Sequence, residues 1–143
     1  MEKEQPEKEI YRMLSESGYS DKAIRYYQTK ENLGIIVDAD QVTDVTGPCG
    51  DRMKISLKIE DDKINDAKMQ VLGCPGAVAS ACALISLAKG KTLKEAGQID
   101  LDGLYRELEK VPDQKVHCAR LAIKTLQKAL EQYTEKAGKS QLG

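Results

Sequence analysis

From Asp51 to Glu60 apolar and polar residues alternate, with Met53, Ile55, Leu57 and Ile59 on one side and Lys54, Ser56 and Lys58 on the other. A period of two predicts a strand with one buried face. Asp61 and Asp62 follow as a turn, and Ala67, Met69 and Val71 then alternate with Lys68 and Gln70. The two segments read as an antiparallel hairpin, and residues 38–46 are expected to add an edge strand. Helical patterns flank this sheet. Residues 10–17 and 20–31 suggest two helices separated by Gly18, with Ser20 as the N-cap of the second and Asp21 behind it. An Ala-rich helix is expected to start at Pro75, whose missing N–H suits a first turn, and to end at Gly90. A shorter helix covers 101–109. The last runs from Lys115 to about Tyr133, its Ala119, Ala122, Ile123, Leu126, Ala129, Leu130 and Tyr133 making one apolar stripe.

The order predicts an α+β fold: a small three-stranded antiparallel sheet packed against about five helices, with a long C-terminal helix. The chain has 143 residues, enough for one domain of ordinary size. Residues 10–135 are expected to form that domain, with 1–9 and 136–143 as disordered tails. There is no Phe or Trp, so aliphatic side chains must fill the core.

Charge narrows the partners. Twenty-two basic and 23 acidic residues leave a net charge of −1, which argues against nucleic acid as a partner. The run from Val71 to Ala88 approaches membrane-spanning length, but Gly73, Pro75, Gly76 and Ser80 interrupt it. It reads as a buried core helix, not a membrane segment. The charged opening Met1-Glu2-Lys3-Glu4-Gln5-Pro6 has no apolar signal region, so a cytoplasmic protein is expected.

In that compartment the four cysteines read as thiols for metal or redox chemistry before disulfides. Cys49 lies in the turn Gly47-Pro48-Cys49-Gly50-Asp51, Cys74 directly before Pro75, and Cys118 in the first turn of the last helix. Helix N-termini favour thiolate over thiol, and the thiolate is what binds metal. Asp51, two residues after Cys49, can face the same side as a ligand or can simply shape its turn. Cys82, among Ala81, Ala83 and Leu84, reads as a small core residue. His117, the only histidine, is a surface residue, a spare ligand or a proton handler. Neighbours on a helix point about 100° apart, so His117 and Cys118 are not expected to hydrogen-bond each other. Spacing alone gives a site of three thiolates and one carboxylate, open to zinc, copper(I) or an iron–sulfur centre.

The run Tyr19-Ser20-Asp21-Lys22-Ala23-Ile24-Arg25-Tyr26-Tyr27 with Asn32-Leu33-Gly34, then Cys49-Gly50-Asp51 with Met53-Lys54, resembles IscU/NifU-type iron–sulfur cluster scaffolds. So do Ile64-Asn65-Asp66-Ala67-Lys68, Gly73-Cys74, Lys89-Gly90-Lys91-Thr92, and His117-Cys118 ahead of the long helix. The resemblance runs from about Tyr19 to Tyr133. It implies that Cys49, Cys74 and Cys118 hold a 2Fe–2S cluster, with Asp51 as the labile oxygen ligand and His117 as an alternative ligand. It further implies a carrier instead of an enzyme. Such a carrier takes sulfur as persulfide from a cysteine desulfurase and passes the cluster to apo-proteins. The place of Cys118, in the last helix's first turn beside His117 and after a loop containing Pro112, makes it the candidate persulfide receiver.

Three departures stand out. Thr29-Lys30 replaces the family's asparagine–proline, and the connection from Gly34 to Cys49 is short. Val111-Pro112-Asp113-Gln114-Lys115 keeps only the proline and lysine of a segment that an ATP-driven chaperone reads, so a chaperone partner is not carried over. The alternative is a zinc-bound sulfur acceptor of the SufU type. That branch carries an insertion before the last cysteine and lacks the histidine beside it, whereas this chain has His117 and no such insertion. A homodimer is compatible with the sequence.

Overall fold

The computed structural model describes residues 5–48, 50–112 and 115–142. The chain begins with α1 (Gln5–Glu16) and α2 (Asp21–Thr29), crosses β1 (Gln41–Thr46), β2 (Arg52–Glu60) and β3 (Lys63–Leu72), then forms α3 (Pro75–Ala88), α4 (Leu93–Gly97), α5 (Leu101–Leu108) and α6 (Val116–Leu142). The sheet is antiparallel in the order β1-β2-β3. This is the expected α+β layout, with one helix more than expected.

The alternation fixes the register. Met53, Ile55 and Leu57 of β2 and Ile64, Ala67 and Met69 of β3 are fully buried on the inner face. Removing each large aliphatic side chain there from water contributes about 1.5–3 kcal/mol. Asp61 and Asp62 both have positive φ, the backbone of a two-residue hairpin loop whose twist suits the flanking strands. A bulge at Lys58/Ile59 lies just before that turn. Against the inner face lies α3, buried from Gly76 to Ile85 and again at Ala88. Its Ala and Ser residues let α2, α5, α6 and β3 approach it closely. The Val71–Ala88 run is therefore the end of a strand and the central core helix. Among the described residues no helix is long and apolar enough to cross a membrane.

Helical ends follow local chemistry. Ser20 caps α2, accepting from the Ala23 N–H at 3.0 Å, and its hydroxyl also donates to the Leu108 carbonyl. Cys74 is the N-cap of α3 with Pro75 after it. The unexpected α4 is opened by a reciprocal capping box between Thr92 and Glu95. Helix also extends into both flanks expected as tails, from Gln5 at one end and to Leu142 at the other. Pro6 is tolerated in a first turn, and the closing residues include good helix formers with no apolar stripe to announce them.

Candidate metal centre

Four elements converge at one end of the sheet. Gly47 and Asp51 close the β1–β2 connection through Gly47 N–H to Asp51 C=O at 2.7 Å, and Gly50 takes a positive φ of 87° inside that turn. The turn leaves Asp51 at the start of β2. Opposite it, β3 ends at Leu72 and delivers Cys74 to the start of α3. The first turn of α6 supplies His117 and Cys118.

Their functional atoms meet. The two sulfurs of Cys74 and Cys118 are 3.6 Å apart, and the Cys118 sulfur is 3.7 Å from Asp51 Oδ2. His117 Nε2 lies 3.5 Å from the same sulfur and 3.9 Å from Asp51 Oδ2. Asp51, His117 and Cys118 alone bring three donor atoms within 4.8 Å of one another. Cys49, the third expected thiol, lies outside the described residues, as do Asp113 and Gln114 of the segment before His117. Cys82 sits elsewhere, fully buried in α3.

The expectation that His117 and Cys118 stay apart does not hold. The 100° between neighbouring Cα–Cβ directions is real, but the imidazole is long enough to fold back over the helix start. Nε2 thereby reaches the Cys118 sulfur.

Electrostatics separates the two thiols. Burial pushes the Cys74 thiol up, but the N–H groups of Ala77 and Gly76, the Cys118 thiol and the Lys115 ammonium outweigh it and leave Cys74 below its ordinary value. Cys118, in a first turn as well, goes the other way. Its burial raises it, and the neighbouring charges of Cys74 and Asp51 raise it further. Of the two, Cys74 is therefore the more readily ionised and Cys118 the one that holds its proton more tightly. Position at a helix N-terminus predicts the first thiol correctly and the second not, because Cys118 has 0% exposure. Cys82 is pushed up to about 11 by burial, as befits a core thiol.

Two further residues adjoin the thiols. Tyr19, 7% exposed, has its hydroxyl against Gly76, and its pKa is pushed up to about 12 by burial and by the charges of Cys74 and Cys118. It reaches the thiols across more than fifty residues of chain, which local pattern cannot foretell. Lys115 stabilises the Cys74 thiolate, and its stem packs over Gly76. Only its closeness to Cys118 in sequence hinted at this.

Two soft thiols, a carboxylate and an imidazole at this separation could hold a metal ion, in a small α+β domain. Residues 18–140 match the family described as NifU-like N terminal domain, and the chain belongs to that family. It is 43% identical over 122 residues to an iron-sulfur cluster assembly scaffold protein IscU of Archaeoglobus fulgidus, covering 85% of this chain and 80% of that one. With the scaffold protein IscU of Haemophilus influenzae it shares 38% identity over 84% of this chain and 98% of that one. Among solved structures, a putative iron-sulfur cluster assembly scaffold protein for the SUF system from Fervidobacterium islandicum superposes with a TM-score of 0.65 at 27% identity. That match covers 78% of this chain and 96% of the other.

Proposed function

We propose that this protein is a scaffold on which an iron–sulfur cluster is assembled and from which it passes to apo-proteins. Its role is that of a carrier, with the cluster as cargo. The observation that supports this most is the convergence of Asp51, Cys74, His117 and Cys118, from separate parts of the chain, with contacts of 3.5–3.9 Å. With Cys49 they supply three thiolates, a harder carboxylate and a spare imidazole. We assign a 2Fe–2S cluster as the cargo, held by Cys49, Cys74, Cys118 and Asp51, with His117 as the alternative to Asp51.

Each residue has a role in the cycle. Cys74, the more readily ionised thiol, is the resting anchor for iron. Cys118 receives sulfur from a cysteine desulfurase: its sulfur attacks the outer sulfur of the donor persulfide and releases the donor as thiolate. For that its proton must leave, and His117 Nε2 and Asp51 Oδ2 stand at 3.5 and 3.7 Å to take it. Its burial means that the first turn of α6 must be uncovered by the partner first. Asp51 is the poorest match to iron among the ligands and the first to exchange, which makes the cluster releasable. The described cysteines Cys74, Cys82 and Cys118 are free thiols, in keeping with a reducing, cytoplasmic setting.

A second reading, a zinc-bound sulfur acceptor of the SufU type, is favoured by the likeness to the SUF-system protein. Anaerobic purification followed by a visible spectrum and iron, sulfide and zinc analysis separates the two. The scaffold reading expects sulfide-to-iron absorption and equal iron and sulfide after reconstitution. Stable zinc, with no cluster under any reconstitution, would reject it.

A further inference from the structure

Asp51 needs a seat, and the fold makes one out of a missing side chain. The β2–β3 ladder pairs Arg52 with Leu72, so one step beyond its end Asp51 stands across from Gly73. Directly opposed residues of an antiparallel pair carry Cβ atoms about 4.5–5.5 Å apart, close enough for their side chains to compete for the same space. At Gly73 there is nothing to compete. A Cβ built there would lie 3.0 Å from Asp51 Cγ and 3.1 Å from Asp51 Oδ1. On its other side it would meet the Ala77 Cβ, in the first turn of α3, at 2.9 Å. The position is closed from both sides, by the carboxylate and by the helix that carries Cys74. Gly73 itself is exposed, so core packing does not demand a glycine there. Its backbone φ is not of the left-handed kind either, so conformation does not demand one.

We propose that Gly73 is a positioning residue for the Asp51 ligand. Its lack of a side chain lets the carboxylate lie over the β3–α3 junction and point Oδ2 at Cys118, 3.7 Å away. Any side chain at this position turns the carboxylate outward and leaves the thiols without their oxygen partner. The inference rests on the reading of Asp51 as a ligand, and the test separates the two.

The experiment measures Zn2+ affinity by chelator competition and the visible spectrum of the Co2+-loaded protein. It compares wild type, Gly73→Ala, Asp51→Ala and the double variant, with circular dichroism to confirm folding. Gly73→Ala is expected to lose about 10- to 100-fold in Zn2+ affinity, as removal of a ligand's support does. Its Co2+ bands should move toward those of Asp51→Ala while the sulfur-to-cobalt absorption persists. In the Asp51→Ala background the same glycine change should cost clearly less than in wild type, because the carboxylate it displaces is gone and only the Ala77 collision remains.

Wild-type affinity and spectrum in Gly73→Ala would overturn the proposal. An equal loss in both backgrounds would also overturn it, since Gly73 would then act through Cys74 or α3. If Gly73→Ala does not fold, the pair Gly73→Ala/Ala77→Gly removes the helix collision and keeps the one with Asp51. Weak Zn2+ binding there supports the proposal, and full recovery overturns it. If Asp51→Ala itself binds both ions like wild type, the ligand reading of Asp51 fails, and the role of Gly73 with it.

Discussion

Alkylation of the thiols tests the electrostatic picture of the site without any cluster. Cys74 is partly exposed and lies below its ordinary pKa of 9.0, whereas Cys82 is pushed up to about 11 and has 0% exposure. Only the thiolate reacts. At pH 7.5 a thiol of pKa 9.0 is roughly 3% ionised and one of pKa 11 roughly 0.03%. Ionisation alone therefore separates the two by at least about 100-fold, and occlusion of Cys82 inside α3 widens the gap. Pulsed iodoacetamide labelling of the metal-free protein, mapped by peptide mass spectrometry, reads the rates. Raising the pH from 7.5 to 8.5 should speed any Cys82 labelling about tenfold, since that thiol is far below its pKa. Cys118, raised and buried, should label more slowly than Cys74. Labelling of Cys82 within tenfold of Cys74 at pH 7.5 would refute both the burial of α3 and the reading of Cys74 as the more readily ionised thiol.

Three further outcomes follow from the same geometry. Asp51→Ala should give a cluster that persists longer and transfers more slowly to an acceptor; unchanged transfer with a lower Tm would make Asp51 a turn residue only. Incubation with a cysteine desulfurase should place added sulfur on Cys118, and persulfide confined to Cys74 or Cys49 would reject that role. Ser20→Ala removes the α2 cap and the partner of the Leu108 carbonyl. It should cost about 1–2 kcal/mol in denaturant unfolding without altering metal affinity, and a loss under 0.3 kcal/mol would show the cap to be idle.

The sheet was legible because its inner face is buried along every strand, so Met53, Ile55 and Leu57 had to alternate with polar residues. Ser20 and Pro75 marked helix starts by chemistry that acts within one turn. By contrast, α4 lacks the length for an apolar period, although its Thr92–Glu95 capping box was present to be read. At the site, Cys74, Cys118 and Asp51 stood out by position and spacing, with His117 beside them as a spare ligand, and the family resemblance gave them their roles. The imidazole folding back onto Cys118 was missed because helical spacing describes Cα–Cβ directions, not the reach of a ring. The opposite shifts of the two thiols were missed for a related reason. Both sit at helix starts, and only the packing around Cys118 and the closeness of Asp51 set them apart. Tyr19, which walls the site from the far end of the chain, could be found only in three dimensions.

Transfer of an intact cluster tests the central claim most directly. The protein is reconstituted anaerobically with iron and a cysteine desulfurase, freed of excess reagents, and mixed with an apo-ferredoxin in the presence of an iron chelator. Circular dichroism in the visible range follows the cluster from one protein to the other. The scaffold account predicts that the ferredoxin signal rises as the scaffold signal falls, with little iron captured by the chelator. It also predicts that Cys74→Ala and Cys118→Ala abolish the process while Cys82→Ala leaves it intact. A ferredoxin that gains no cluster from the loaded protein, or gains it equally from Cys118→Ala, would contradict the account.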